Sequence, residues 1–84
     1  MMQITMFGGK GCGQCALMKR MLDEKNITYS YKDTQENIEE VQELGITSIP
    51  SIVIEKGDKR VITRGLKPMT IIELAIREVN GEVQ

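Results

Sequence analysis

The hydrophobic and polar positions of the chain change their spacing several times, and each change predicts a new element. Residues 3–7 mix β-branched, sulfur and aromatic side chains, which is typical of a short buried strand. The glycine-rich run 8–11 ends that strand. From Cys12 to about Lys25 the apolar positions follow a helical spacing, and Asn26 is expected to end the helix. The predicted buried face of this helix consists of Cys15, Met18, Met21 and Leu22.

The middle of the chain predicts a strand followed by a second helix. Residues 28–32 alternate strictly, so we expect a strand that places its two tyrosines on one face. Asp33 or Thr34 is expected to cap the second helix, and Gly45 to end it. The predicted buried stripe of this helix consists of Ile38, Val41 and Leu44.

The last third of the chain predicts a hairpin and a final helix. Residues 52–54 form an apolar strand, and a Lys-Gly-Asp turn connects it to a partner strand over 60–63. The final helix has two candidate starts, with Pro68 as its first residue or with Thr70 and Glu73 as a capping box. Its expected core-facing residues are Ile72, Ala75, Ile76 and Val79, before an Asn80-Gly81 end. The predicted order is β-α-β-α-β-β-α.

The composition narrows the class of protein. With 84 residues the chain suits one small domain, which we assign to residues 1–84. The sequence has no histidine, which excludes Ser–His and Cys–His catalytic pairs and a histidine-ligated metal site. A net charge of -1 argues against a nucleic-acid-binding protein. We see neither a targeting segment nor a membrane-spanning run, so we expect a cytoplasmic monomer without a bound cofactor.

Two cysteines carry the candidate chemistry. Cys12 and Cys15 stand at the predicted start of the first helix, where side chains three residues apart lie about 5–6 Å from each other, close enough for a disulfide. The N-terminus of a helix stabilises a thiolate, and Lys10 adds positive charge. We therefore predict thiol–disulfide exchange, with Cys12 as the nucleophile and Cys15 as the resolving residue. We assign Lys10, Gly13 and Gln14 to the substrate-binding surface.

Two other interpretations of the cysteine pair stay open. A purely structural disulfide is disfavoured because closing a four-residue loop stabilises the fold by only about 1.9 kcal/mol in the chain-entropy model. A copper or zinc carrier would use both cysteines as thiolate ligands of a soft cation. However, heavy-metal-associated domains run β-α-β-β-α-β and end on a strand, whereas this chain is predicted to end on a helix. Its six methionines are better explained by core packing than by metal binding.

The cysteine pair, the segment Thr47-Ser48-Ile49-Pro50 before an apolar strand, and the element order together resemble the glutaredoxins. The resemblance covers nearly the whole chain. It implies an α/β thioredoxin fold in its minimal glutaredoxin-like form, with a four-stranded mixed sheet. In that family the proline that matches Pro50 is cis, and its loop lies beside the cysteines. The resemblance also implies that the backbone of Ile49, with Ser48 beside it, binds the substrate chain as an added strand.

The segment before the last helix indicates a branch of the family. Arg64-Gly65-Leu66-Lys67-Pro68 is similar to the Ser-Gly-Phe-Arg-Pro pattern of NrdH-type redoxins, with Leu66 in place of the aromatic residue. That resemblance implies that thioredoxin reductase supplies the electrons, that a disulfide-containing protein such as ribonucleotide reductase accepts them, and that Gly65 and Leu66 contact the substrate. The alternative is a glutaredoxin that depends on glutathione, either as the reductant or as a co-ligand of an iron–sulfur cluster shared by two chains.

The sequence leaves two questions to the structure. Thioredoxins keep a buried aspartate on the first strand, whereas residues 7–10 offer no carboxylate here, so water, a backbone-organised site or the partner's leaving thiolate must take the proton of Cys15. The charges are also unevenly spread, with five acids and no bases in residues 33–43, and five bases and one acid in residues 56–67. The basic segment is either a solvated charged hairpin or a surface that steers an acidic partner toward Cys12.

Overall fold

A computed structural model describes residues 1–82 of the chain. The strands are β1 (Gln3–Gly8), β2 (Ser30–Asp33), β3 (Ser51–Lys56) and β4 (Lys59–Arg64). The helices are α1 (Gly13–Glu24), α2 (Ile38–Glu43) and α3 (Met69–Val79), and a 3₁₀ turn at Thr34–Glu36 precedes α2. The predicted order of strands and α-helices is confirmed. Within residues 1–82, none of the helices combines the length and the apolar character that a membrane crossing requires.

The four strands form one mixed sheet in the order β2-β1-β3-β4. β1 runs parallel to β2 and antiparallel to β3, and β3 pairs with β4 as a hairpin. Met6 at the centre of β1 lies opposite Tyr31 on one side and Ile52 on the other. This arrangement confirms the predicted thioredoxin fold.

The alternation of side chains along the central strands divides the core into two clusters, one on each face of the sheet. The large cluster lies between the sheet and helices α1 and α3, and its buried residues are Met6, Cys15, Met18, Leu22, Ile52, Ile54, Ile72, Ala75 and Val79. The small cluster lies under α2, and its buried residues are Phe7, Ile46 and Val53. Val41, Leu44 and Ile62 pack against the small cluster as partly buried residues. Cys15 therefore belongs to the main core of the protein.

The three α-helices end in the way that the sequence predicts. Asn26, Gly45 and Gly81 follow them with φ angles of 56°, 66° and 83°, in the left-handed region that glycine and asparagine tolerate best. After α1, the backbone N–H of Ile27 donates to the carbonyl of Leu22 at 3.0 Å, and that of Asn26 donates to Asp23 at 3.0 Å. These bonds satisfy carbonyls that the end of the helix leaves unpaired and turn the chain toward β2.

The predicted second strand and second helix need correction. β2 begins at Ser30 rather than Thr28, because its pairing with β1 covers only Ser30–Asp33. The Asp33 carboxylate accepts a hydrogen bond from Gln35 N at 2.8 Å, but it caps the 3₁₀ turn and not an α-helix. The six-residue α2 that follows is too short to bury a full stripe. The side chain of Ile38 is consequently 57% exposed, so its prediction as a core residue is wrong.

Neither predicted start of the last helix is correct. Pro68 lies just before α3 in an extended conformation, with φ -61° and ψ 151°. Its carbonyl accepts hydrogen bonds from the N–H groups of Ile71 at 3.0 Å and Ile72 at 3.3 Å, which makes Pro68 the N-cap residue. Thr70 therefore lies inside the first turn. The predicted core side of α3 is confirmed, since Ile72, Ala75 and Val79 are buried and Ile76 packs against them.

Candidate active site

Cys12 and Cys15 form a disulfide at the start of α1, with their Cα atoms 5.2 Å apart. Cys12 is the N-cap residue of the helix, and Cys15 lies in its first turn. The helical spacing places their side chains differently, because Cys15 points into the large cluster while Cys12 lies at its rim. Cys15 is only 2% exposed, whereas Cys12 is half-buried. A partner molecule can therefore reach the sulfur of Cys12 more easily than that of Cys15.

The helix itself stabilises negative charge on Cys12. The Sγ of Cys12 accepts a hydrogen bond from the backbone N–H of Cys15 at 3.1 Å. It also lies at the positive end of the dipole of α1, which is twelve residues long. Within residues 13–16, no acidic side chain opposes this effect. When the disulfide opens, this position favours the thiolate form of Cys12, which is the nucleophile in disulfide exchange.

The loop before β3 lies next to the glycine-rich loop that precedes Cys12. The Ile49–Pro50 peptide bond is cis, as the family resemblance implies. A Cβ at Gly9 would lie 3.0 Å from Cδ1 of Ile49, so the two loops are in close contact. Within the proline loop, the Ser51 hydroxyl donates a hydrogen bond to the carbonyl of Ser48 at 2.7 Å. These contacts hold the backbone of Ile49 beside the disulfide end of the sheet.

The loop after β4 meets the same region. The N–H of Gly65 donates to the carbonyl of Pro50 at 2.8 Å, which ties the two loops together. Leu66 and Met69 then pack against the large cluster as partly buried residues, as do Cys12 and Ile49. The structure thus brings the predicted residues Cys12, Ile49, Pro50, Gly65 and Leu66 to one end of the molecule.

The other predicted substrate-binding residues are at the surface. Lys10, Gly13, Gln14 and Ser48 are exposed. A Cβ at Gly13 would meet nothing within 4 Å, so this part of the surface is open to a partner. Lys10 is absent from the described residues that line the cleft beside the disulfide.

Lys19 and Tyr31 contribute the two long side chains that line this cleft, and neither is among the predicted site residues. The ammonium group of Lys19 lies 3.7 Å from the centroid of the Tyr31 ring, a cation–π contact. Lys19 follows Cys15 by one helical turn, so its presence beside the cysteine could have been inferred from the spacing. Tyr31 comes from β2, and no local pattern connects it to the cysteines.

Gly8, the last residue of β1, leaves room for both Tyr31 and Cys15. A Cβ at Gly8 would lie 2.8 Å from the Tyr31 hydroxyl oxygen and 3.2 Å from the Cys15 sulfur. Both distances are shorter than an ordinary carbon contact, so a side chain at Gly8 would displace one of the two groups. Burial raises the pKa of Tyr31, and the negative charges of Asp33 and Glu36 raise it further. The hydroxyl near Cys15 therefore keeps its proton at neutral pH.

Most of the basic segment is engaged within the fold. Arg60 Nε lies 3.0 Å from Glu55 Oε1, and Lys56 Nζ donates to Asn80 Oδ1 at 2.8 Å. Arg64 donates to the backbone carbonyls of Leu44 and Gly45 at 3.3 Å each, which satisfies the end of α2. These contacts favour the interpretation of the segment as a charged hairpin over that of a steering surface.

The two cysteines are not part of a larger group of metal ligands. Among residues 1–82, no three or more cysteine, aspartate or glutamate side chains lie close enough together to hold a metal ion. A soft cation at this site would need its remaining ligands from another molecule.

Comparisons with known proteins agree with this geometry. The sequence model of the glutaredoxin family matches residues 4–60, a range that includes both cysteines and Pro50. No curated protein sequence gives a significant match.

Solved structures with a similar fold include several thioredoxins. A mutant thioredoxin from Halobacterium salinarum has a TM-score of 0.81 at 17% identity, over 99% of this chain and 78% of that one. Thioredoxin from Malassezia sympodialis has a TM-score of 0.76 at 21% identity, over 93% of this chain and 76% of that one. Chloroplastic thioredoxin z has a TM-score of 0.74 at 25% identity, over 95% of this chain and 79% of that one.

Proposed function

The chain belongs to the glutaredoxin family and is a dithiol–disulfide oxidoreductase, and we propose that it acts as a small electron carrier in which Cys12 attacks and Cys15 resolves. The observation that carries this assignment is the difference in exposure between the two sulfurs. Cys15 is 2% exposed within the large cluster, whereas Cys12 is half-buried at the rim of the cleft. This difference supports Cys12 as the sulfur that meets another protein.

The proposed cycle transfers two electrons to the substrate. The thiolate of reduced Cys12 attacks one sulfur of the substrate disulfide, forming a mixed disulfide and releasing the other sulfur as a thiolate. Cys15 loses its proton and attacks Cys12 Sγ, which breaks the mixed disulfide and releases the second substrate thiolate. The products are a reduced substrate and the Cys12–Cys15 disulfide that the structure contains. An external dithiol or thiol then reduces this disulfide by the reverse steps.

The substrate chain binds, in this proposal, along the loops that surround Cys12. The backbone of Ile49 would pair with an extended substrate segment, with Ser48 and Pro50 beside it. Gly65 and Leu66 would contact the opposite side of the bound substrate segment. Lys10, Gly13 and Gln14 would contact the substrate near its sulfur. Support comes from the hydrogen bond between Gly65 and Pro50 and from the shared packing of Cys12, Ile49 and Leu66 against the large cluster.

We assign the chain to the NrdH-type branch, with thioredoxin reductase as its electron source. The support is the segment Arg64-Gly65-Leu66-Lys67-Pro68. Its glycine is hydrogen-bonded to the proline loop, and its leucine packs against the large cluster, as Cys12 does. The acceptor would be a disulfide-containing protein such as ribonucleotide reductase. We further propose that residues 1–84 form one domain that acts as a cytoplasmic monomer and binds neither nucleic acid nor membrane.

The electron source can be tested by coupling the purified protein to NADPH oxidation with insulin as the disulfide substrate. One assay contains thioredoxin reductase, and a parallel assay contains glutathione with glutathione reductase. We expect turnover with thioredoxin reductase. Turnover with glutathione alone would contradict the NrdH-type assignment but leave the dithiol mechanism intact.

The roles of the two cysteines can be separated by matched serine variants. Cys12→Ser should abolish insulin reduction, because the remaining thiol is buried. Cys15→Ser should accumulate a mixed disulfide between Cys12 and the substrate, visible as an added mass that dithiothreitol removes. If Cys12→Ser traps the substrate and Cys15→Ser does not, the two roles are reversed.

A further inference from the structure

The buried sulfur of Cys15 has a hydroxyl group beside it that the exchange mechanism does not yet use. The Tyr31 hydroxyl oxygen and the Cys15 sulfur lie 2.8 Å and 3.2 Å from the same point, the position of a Cβ on Gly8. Since both are about 3 Å from this point, they are at most about 6 Å from each other. The lack of a side chain at Gly8 leaves the space between them open.

The position of Tyr31 is held from two directions. Its backbone pairs with Met6 in the centre of the sheet. Its ring lies under the Lys19 ammonium group at 3.7 Å, and Lys19 is attached to the same helix as Cys15. The side chain is 38% exposed, so it forms a wall of the cleft and not a part of the core. The torsion about the Cα–Cβ bond of Tyr31 therefore sets how closely the hydroxyl approaches the sulfur.

We propose that the Tyr31 hydroxyl donates a hydrogen bond to the Cys15 thiolate each time the disulfide is opened or re-formed. This role rests on the proposed function of Cys15 as the resolving residue. When an incoming thiolate bonds to Cys12 Sγ, the S–S bond breaks and its electron pair goes to Cys15 Sγ. Tyr31 stabilises that charge while keeping its own proton, and the Cys15 thiolate later takes a proton from water in the cleft. In the resolving direction the proton returns to water before Cys15 attacks.

The charges around this pair have unequal effects. Lys19 on α1 lies over the Tyr31 ring and lines the same cleft as Cys15, where its positive charge favours a thiolate. Asp33 at the end of β2 and Glu36 in the 3₁₀ turn act on Tyr31 and oppose its ionisation. Lys19 is the single charged side chain among the described residues that line the cleft. Tyr31 is thus arranged as a hydrogen-bond donor and not as a base. In this proposal, water accepts the proton of Cys15, and the Tyr31 hydroxyl stabilises the negative charge that remains on the Cys15 sulfur.

The test uses Tyr31→Phe, which removes the hydroxyl and keeps the ring under Lys19. Tyr29→Phe is the matched control, because Tyr29 is not among the described residues that line the cleft beside the disulfide. We expect Tyr31→Phe to slow the opening of the disulfide by dithiothreitol at pH 7 roughly tenfold, as the loss of a hydrogen bond to a charged group would. Tyr29→Phe should leave this rate within about twofold. Equal rates for both variants would overturn the proposal.

A second readout separates a hydrogen bond from a general structural role. In the Cys12→Ser background, the absorbance of the Cys15 thiolate can be titrated with and without Tyr31→Phe. The pKa of Cys15 should be higher without the hydroxyl, because the thiolate loses a donor. An unchanged pKa would contradict the proposal. This titration needs no substrate, so it decides the role of Tyr31 even if the unmodified protein fails to reduce insulin and the proposed function is wrong.

A third measurement needs no substitution at Tyr31. Its ring can be titrated by NMR in the oxidised and reduced protein, with Tyr29 as an internal reference. The pKa of Tyr31 should be higher in the reduced form, where a neighbouring thiolate accepts its hydrogen bond, and that of Tyr29 should stay the same. An equal pKa of Tyr31 in both forms would refute the proposed contact.

Discussion

The two faces of the sheet are built very differently. The face toward α1 and α3 buries the large cluster of nine residues, one of which is the redox cysteine Cys15. The face toward α2 buries only the small cluster of three residues and leaves Ile38 exposed on the covering helix. Side chains of β1 and β3 alternate between the two faces, so both clusters receive residues from the same strands. The difference in cluster size therefore comes from the length and number of the helices that cover each face.

The contrast shows that the larger part of the core and the two cysteines lie on the same face of the sheet. Cys15 is buried by the same side chains that hold α1 on the sheet, and Cys12, Ile49 and Leu66 pack at the rim of the same cluster. A change in the large cluster can therefore alter both folding and the position of the disulfide. The α2 face contributes less buried apolar area and lies on the opposite side of the sheet from the cysteines.

The largest expected difference between the faces concerns the same substitution at two isoleucines. Ile72→Ala removes a fully buried side chain from the large cluster, whereas Ile46→Ala removes one that is 7% exposed from the small cluster. Large-to-small changes in cores cost about 2–5 kcal/mol, and we expect Ile72→Ala near the top and Ile46→Ala near the bottom of this range. Urea unfolding followed by circular dichroism measures both. Equal losses would show that the two faces stabilise the protein equally.

A smaller effect is expected where the large cluster meets the active site. Gly8→Ala would place a methyl group 2.8 Å from the Tyr31 hydroxyl and 3.2 Å from the Cys15 sulfur, and we expect it to lower the free energy of unfolding by about 1–3 kcal/mol. Gly13→Ala is the matched control, because its methyl group would meet nothing within 4 Å. As a replacement in the first turn of α1, it should raise stability by about 0.5 kcal/mol. If both variants unfold alike, the space at Gly8 is not tightly occupied.

The smallest expected effect depends on pH and concerns Tyr29. Burial raises the pKa of Tyr29 above its ordinary value of 10.0, and the charge of Asp23 and its hydrogen bond to the tyrosine add to this. The unfolded chain loses this proton first, so the contribution to stability is complete below pH 10 and declines as the pH rises toward the folded pKa. Urea midpoints of the unmodified protein should therefore fall between pH 9 and pH 11. Tyr29→Phe should show a smaller fall, and an equal fall would exclude this contribution.

Sequence patterns alone predict most of the fold because they are set by local physics. The spacing of apolar residues identifies α1, α3 and the central strands, and Asn26 and Gly81 mark helix ends by the backbone angles they tolerate. The start of a helix also explains why a Cys-x-x-Cys pair is suited to disulfide exchange. The cis bond before Pro50 follows from the family resemblance alone, since no local pattern distinguishes it from a trans bond.

The errors arise where short elements depend on their neighbours. The start of β2 is decided by where its backbone begins to pair with β1, at Ser30, and the burial of Ile38 by how much of α2 contacts the sheet. The helix start at Pro68 depends on which carbonyl accepts the first hydrogen bonds. None of these can be read from the periodicity of six residues or fewer.

By itself, the sequence of this protein determined the order of its elements and the position of its two thiols at the start of α1, with Cys15 on the buried face of that helix. The tertiary structure decided what surrounds the buried thiol. Tyr31 lies near Cys15 because β2 pairs with β1 and because Gly8, at the end of β1, has no side chain to fill the space between the hydroxyl and the sulfur. Contacts of this kind join residues that are far apart in the chain, and only the pairing of strands and the packing of α1 on the sheet bring them together.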